Sequence, residues 1–437
     1  MKQSSVSHVH SSEHAIDYFG WRVLAGAVIG LALSPGPIAL LLIGALAPGL
    51  AHAHGWSFGQ IMFSLTLLNI GSILAAPFAG QLIDRLGPRV VLLPSIVIMA
   101  ACLLAFGYEA TTLTRLYAIS AIYGFATIGA QSLTYTKLLT SWFNTNRGLV
   151  LGIASSGLGL GYAVLPLVIA FGFGHVGPSG TTVLIAAVLV ALPLSLNFFV
   201  AYPRESTERG TRAASAELEG LALHEAIRTA PFWNMGAAIF LISIIATGIV
   251  PNFANIARDL HYEPSQAATI ASIFGLATLL GRLLVGWLFD RYFAPRVACV
   301  IFLLAGVGFG LAACVTALGL SWPVFAAAAV LMGLGFGAES DLIGFLASRY
   351  FGYRHFGVIY GSLLSIFILG VAAGPLLYGV VRDIGGSYRP ILTVSATLGV
   401  GAGLLMLLLP RFSHTTGSQS LSEHVPVEPV LPMVRSL

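Results

Sequence analysis

A short charged turn occurs twice in this chain. Gly80-Gln81-Leu82-Ile83-Asp84-Arg85-Leu86-Gly87-Pro88-Arg89 returns in the second half as Gly286-Trp287-Leu288-Phe289-Asp290-Arg291-Tyr292-Phe293-Ala294-Pro295-Arg296, each copy set between long apolar runs. A charged hinge repeated between hydrophobic stretches points to a duplicated membrane protein. With 57% hydrophobic and 9% charged residues, the chain has too little polar surface to cover a water-soluble particle. Interruptions by Pro, Gly or charge divide it into apolar stretches at 21–47, 59–83, 90–108, 114–141, 149–172, 181–202, 232–256, 265–288, 296–319, 323–348, 357–381 and 388–409. Most reach the ~20 residues that a spanning helix needs. The predicted fold is an all-α membrane protein of twelve transmembrane helices in two six-helix, pseudo-symmetric halves.

The polar segment 203–231 separates the halves, which predicts a first half at 21–202 and a second at 232–410, with tails at 1–20 and 411–437. Even span number puts both termini on one side. Lysine and arginine are retained on the cytoplasmic side, and if the termini lie there the outer loops hold only Arg115, Arg258, Arg382 and Arg389. The expectation is therefore a multi-pass protein of the cell membrane with cytoplasmic termini. The duplication continues past the hinge: Gly152, Gly161 and Pro166 recur at one constant spacing as Gly361, Gly370 and Pro375, and Gly-Ala-Gln-Ser at 129–132 recurs as Gly-Ala-Glu-Ser at 337–340. Parallel six-helix repeats suit a transporter whose halves rock about a site near mid-membrane.

The hinge motif and the repeat resemble the major facilitator superfamily across residues 15–410. Trp142-Phe143-Asn144-Thr145-Asn146-Arg147-Gly148, then Leu151-Gly152-Ile153-Ala154-Ser155-Ser156-Gly157, resemble its monocarboxylate transporter and oxalate/formate antiporter branch, as does Gly55-Trp56-Ser57. The resemblance implies alternating access with a carboxylate cargo, and an arginine in the eighth helix at the position of Arg282. That branch often has a lysine in helix one and an aspartate one turn before the arginine, whereas helix one here has no lysine and the second position is Thr278. The lysine that the oxalate type carries in helix eleven is also missing from 357–381, which argues against a dicarboxylate held by two cations.

Within the apolar spans the ionisable acids and bases are Lys137, Arg282, Glu339 and Asp341. Each costs at least about 2.5–3.5 kcal/mol at the bilayer centre unless it has a cavity, a partner or a proton. Arg282 precedes Asp290 by eight residues, so it lies about 12 Å from the hinge at 1.5 Å per residue. Its planar fork matches a carboxylate with two parallel hydrogen bonds. An ion pair locking two helices is the alternative reading. Asp341 stands at a matching distance from Arg349, and Glu339 is two residues away, turned about 200° from it on a helix. One of them faces the pathway and the other a neighbouring helix. A carboxylate removed from water takes up a proton more readily, which proton coupling requires. Asp341, ahead of Glu339, is the expected proton site, with structural ion pairing as the alternative. Lys137 is close enough to the end of its helix for its stem to carry the ammonium to the surface.

Pro35-Gly36-Pro37 must break helix one at its middle and free carbonyls there. Tyr123, Gln131 and Tyr135 on helix four, Asn252 and Asn255 at the end of helix seven, and Thr278 complete the expected cargo-binding set around Arg282. Asp84, Arg85 and Arg89, with Asp290, Arg291 and Arg296, form latches that gate the halves without touching cargo. The glycines at 152, 157, 159 and 161 read as close helix packing, because no Lys-Ser/Thr follows them. No cofactor, metal or nucleic acid is expected, and no nucleophile–base set suggests an enzyme. The expected function is secondary active transport of small organic monocarboxylates with protons, by a monomer. Electroneutral anion exchange of the oxalate/formate type, and drug or metabolite export, are the alternatives.

Overall fold

The computed structural model describes residues 19–143, 147–191, 220–352 and 354–411. Both expected tails, nearly in full, and most of the linker at 203–231 fall outside that set, as do the side chains of Asp84, Asp290 and Asp341. In the first half, α1 (Phe19–Ala32) and α2 (Pro35–His54) make the first span, α3 (Phe58–Leu86) the second and α4 (Pro88–Tyr108) the third. The fourth is α5 (Leu113–Ala126), a 3-10 turn (Ile128–Ala130) and α6 (Ser132–Trp142); α7 (Arg147–His175) is the fifth and α8 (Gly177–Leu189) begins the sixth. After a short linker helix, α9 (Leu223–Ala226), the seventh span is α10 (Ala230–Ile249), a 3-10 turn (Val250–Asn252) and α11 (Phe253–Asp259). Then come α12 (Pro264–Arg291), α13 (Ala294–Leu318), α14 (Trp322–Phe351), α15 (Phe356–Gly385) and α16 (Arg389–Leu407).

Nine of these stretches are long and apolar enough to cross a membrane, or ten if the parts of α14 on either side of a 40° bend are taken as one span, among the described residues. The expected count of twelve is not confirmed. The fourth span is split into helices of 14 and 11 residues, and the sixth is described only through a helix of 13. Proline marks where helices begin: Pro88, Pro264, Pro295 and Pro323 all sit in a first turn, where a missing N–H leaves no bond unmade.

The end of the bundle bearing the two charged turns is the hinge end, and the opposite end the far end. Helix α7 is a spacer with two small faces. A Cβ on Gly157 or Gly161 would collide with the carbonyl oxygens of Val28 and Ala32 on α1, and one on Gly159 would stand 2.7 Å from Leu279 Cβ on α12. Gly157, Gly159 and Gly161 are therefore packing glycines, as their sequence suggested, whereas Gly152 has no such neighbour, and the contact at Gly159 joins the two halves through α7 and α12. Packing repeats along with sequence: Gly370, the counterpart of Gly161, meets Ser243 and Phe240 of α10 in the same manner. Toward the hinge end the fit loosens. Gly152 and its counterpart Gly361, and Gly80 and its counterpart Gly286, have no atom within 4 Å of the space a Cβ would take. The close glycine contacts that join the halves through α7 and α12 thus lie around mid-span, while these four glycines make no such approach.

Candidate functional site

Arg282 lies mid-helix on α12, half-buried. Helix α14 comes close enough to meet it because Gly337 has no side chain: a Cβ there would strike the Thr278 carbonyl and stand 3.0 Å from the Arg282 amide. That approach brings Glu339 into the field of Arg282, and both charges act on the phenol of Tyr162. Tyr162 comes from α7 in the other half, its ring edge-on to Phe336 of α14 with centroids 5.2 Å apart. Phe274 closes the same layer, 5.4 Å from Phe336. Glu339 is buried, and its Oε2 has no hydrogen-bond partner among the described residues. A buried carboxylate oxygen left in that state is costly, so it marks a place for a proton or a polar ligand. Thr278, one turn before Arg282, is fully buried and donates its hydroxyl to Phe274 O at 2.9 Å. Its polar group is spent on its own helix.

The repeat-related spans four and ten are distorted at the same place. In the fourth, the helix stops at Ala126, passes through the 3-10 turn and restarts after Gln131, whose backbone is extended. In the tenth, α14 bends between Gly337 and Leu342. Gln131 and Glu339 thus occupy equivalent breaks, a correspondence the Gly-Ala-Gln/Glu-Ser pair already carried. The first span breaks at Ser34, as Pro35-Gly36-Pro37 required, and the carbonyl of Pro35, in the first turn of α2, accepts the Tyr123 hydroxyl at 3.1 Å. Tyr135 packs against Gly30, where a Cβ would overlap its phenol. The buried hydroxyls of Ser34 and Thr134, beside these breaks, have no hydrogen-bond partner among the described residues. Tyr123 therefore braces a broken helix, while Gln131 and Tyr135 sit at and just after the break of the fourth span.

Asn252 and Asn255 lie elsewhere, near the far end. Asn252 donates to Gly248 O at 2.8 Å and accepts from the Tyr388 hydroxyl at 3.0 Å, while Asn255 donates to Pro251 O at 3.3 Å. Both are buried, and these bonds hold the 3-10 turn of span seven in shape. At the same end the halves are stitched together by residues the sequence did not single out. Asp383, near the end of α15, accepts from Phe58 N–H at 2.9 Å and Gly59 N–H at 2.6 Å, capping the start of α3 across the boundary. Its neighbour Arg382 grips Asp259 through Nε and an Nη, at 3.0 and 3.2 Å, and stands 5.3 Å from the Phe58 ring centroid. Deeper in, Thr66 donates to Ala372 O at 2.7 Å. Asp383 gave no sequence signal because helix-end aspartates are common. Tyr162 was hidden inside a run that reads as packing.

At the hinge end the guanidinium of Arg291 lies 4.0 Å from the Trp287 ring centroid and that of Arg296 lies 5.9 Å from Phe293. Arg85 is exposed beside a cavity of about 470 Å³ between α3, α4 and α5. Arg89 follows Pro88 in the first turn of α4. A second cavity, of about 770 Å³, lies at the far end and includes Arg258 but not Arg282.

A duplicated sequence, a charged turn in each half and breaks at repeat-related positions of two apolar spans are the features on which the family can be judged. A family model described as Major Facilitator Superfamily matches residues 24–254 and, again, 235–436. The chain belongs to the major facilitator superfamily. As a major facilitator protein it is a membrane transporter and not an enzyme. It is 26% identical to monocarboxylate transporter 13 of Rattus norvegicus, over 96% of each chain. It is 27% identical to a gallate transporter of Pseudomonas putida, over 77% of this chain and 83% of that one. Human monocarboxylate transporter 11 is 26% identical over 94% of this chain and 87% of its own. Among solved major facilitator structures, a bacterial homologue of the human lysosomal transporter Spinster, inward-facing and occupied, superposes with a TM-score of 0.66 at 16% identity, covering 90% and 95% of the two chains. The nucleoside transporter NupG gives 0.70 at 14% identity, over 89% and 99%. At such identities the likeness is one of fold.

Proposed function

We propose that this protein moves small organic monocarboxylates across the cell membrane by alternating access, together with protons, and that Arg282 holds the carboxylate. The observation that carries the reading is a half-buried arginine in mid-span, sharing its field with a buried glutamate and facing a tyrosine of the other half. An arginine fork suits a single carboxylate, and a second cation that a dicarboxylate would need is not part of the cluster. Two relatives named for monocarboxylates and one named for gallate, itself an aromatic monocarboxylate, support that cargo class. Glu339 is the proton site in this reading: protonation frees Arg282 for the cargo, and cargo release returns Arg282 to the carboxylate. Asp341, two residues on, is the second choice. Gln131 and Tyr135 offer polar groups from the other half. The termini lie in the cytoplasm in this reading, so the hinge end opens inward, and the turns at Asp84, Arg85, Arg89, Asp290, Arg291 and Arg296 latch it when the far end opens.

Glu339→Gln is expected to lose accumulation driven by a pH gradient, down to the level of protein-free vesicles, while exchange of preloaded anion for external anion continues. Intact accumulation in that variant, with loss in Asp341→Asn, would move the proton to Asp341. The reading as a whole is tested in sealed proteoliposomes holding the purified protein and an internal pH dye, with monocarboxylates and dicarboxylates added outside. Acidification beyond that of protein-free vesicles, with particular monocarboxylates, is the expected result. Silence with every acid, in vesicles that do exchange a preloaded anion, would replace symport by electroneutral exchange.

A further inference from the structure

We infer that the far-end cavity is a lipid site, taking one acyl chain of an anionic phospholipid with Arg258 at its headgroup. The cavity, of about 770 Å³, is walled by α2, α4, α7 and α8 of the first half and by α11, α12 and the 3-10 turn of the second. Beyond the tight contact of α7 with α12, α7 carries Pro166, Ile169, Phe173 and Gly174 into the wall. Leu41, Ile169 and Val250 at its deep end are buried or nearly so, whereas Ala53, Gly174, Ala254 and Arg258 at the rim are exposed. Most of the wall is hydrocarbon, so a hydrated ion entering it would recover little of the water it lost.

Length selects the occupant. From Ala53 to Leu41 is twelve residues of one helix, about 18 Å at 1.5 Å per residue, close to the ~15 Å that one leaflet contributes to a ~30 Å hydrocarbon core. Charge selects the headgroup. Arg258 is the one charged side chain in the wall, and among the described residues it has no hydrogen bond or ion pair. The neighbouring carboxylate, Asp259, is already taken by Arg382. An exposed guanidinium at the level of the headgroups, above an apolar slot one leaflet deep, is complementary to a phosphodiester on an acyl chain. Both halves build the slot, so a chain lodged in it binds only while the far ends are together, and it stabilises that form by mass action. The inference does not depend on the cargo proposed above.

The test uses the full-length protein in neutral detergent, titrated with phosphatidylglycerol or phosphatidylcholine, with native mass spectrometry counting bound lipid and a melting curve recorded alongside. One phosphatidylglycerol is expected to be retained, at least tenfold more tightly than phosphatidylcholine, with a rise in melting midpoint. Arg258→Gln should remove the preference between the two lipids. Ala254→Phe, at the exposed rim where bulk is tolerated, should weaken both. Equal retention of phosphatidylglycerol by both variants and the parent would reduce the binding to nonspecific boundary lipid and overturn the inference. So would equally tight binding of glycerol phosphate, which has the headgroup charge and no chain.

Discussion

Arg282→Ala is expected to abolish carboxylate transport while leaving a protein that inserts, purifies and runs as one species. Two charge-assisted hydrogen bonds to a carboxylate are worth about 1.5–3 kcal/mol each, so their loss lowers cargo affinity by about two to four orders of magnitude at 1.4 kcal/mol per tenfold. Arg282→Lys keeps the charge and loses the fork, and is expected to recover little of that loss. Folding should survive because the partner, Glu339, can neutralise itself with a proton once the arginine is gone. The double variant Arg282→Ala with Glu339→Gln separates cargo binding from helix locking. If the pair merely locks α12 to α14, removing both charges leaves no buried orphan and should restore activity. If Arg282 holds the cargo, the double variant stays inactive. Normal uptake by Arg282→Ala, measured at matched protein levels in vesicles, would end the proposal.

Much of the architecture was legible because membranes force simple patterns on a sequence. Apolar length located the nine or ten stretches that are long enough to cross a membrane among the described residues, and the repeated charged turn with its prolines located the helix starts at Pro88 and Pro295. Pro35-Gly36-Pro37 announced the break of the first span, since a ring without an N–H cannot continue the ladder. The break of the fourth span was not announced, because Ile128–Ala130 contains no proline and no charge and the turn there is set by packing against α3 and α4. At the site, Arg282, Asp341 and Glu339 stood out because charge is rare in a span, with Asp341 ahead of Glu339, and the side chain of Asp341 lies outside the described set. Tyr162 did not: an aromatic residue in an apolar helix is ordinary, and only the glycines around it let α7 approach α12 and turn it toward the charges. Asn252 and Asn255 show a role in the fold that their sequence position did not reveal. A polar residue at a helix end looks available for cargo, yet a 3-10 turn leaves carbonyls to be satisfied nearby, and both amide nitrogens donate to them, while Oδ1 of Asn255 has no partner among the described residues.

Asp383→Ala is expected to move the protein strongly toward the form open at the far end. The carboxylate accepts from two backbone amides at the start of α3, at 2.9 and 2.6 Å, where the helix dipole also favours a negative charge. These are contacts across the boundary between halves, so under the alternating access proposed above they would be made with the far ends together and lost when they part. Allowing for partial exposure, their removal is worth about 2–3 kcal/mol, a shift of about 30- to 150-fold in the conformational equilibrium at 1.4 kcal/mol per tenfold. Labelling of an Ala372→Cys reporter from the far side measures it, in a background with Cys102, Cys299 and Cys314 replaced. Ala372 is buried on α15 against Thr66 of α3 and becomes reachable when these helices part. Asp383→Asn should lie between the parent and Asp383→Ala, since an amide oxygen still accepts one of the two bonds without the charge. Arg382→Gln should do far less, because its partner Asp259 belongs to the same half and its contact with Phe58 is one cation–π approach worth about 0.5–1 kcal/mol at an exposed site. Equal labelling rates for the parent and Asp383→Ala would mean that the glycine-lined contact of Gly59 with α15 closes the far end by itself, and that the carboxylate caps a helix without gating anything.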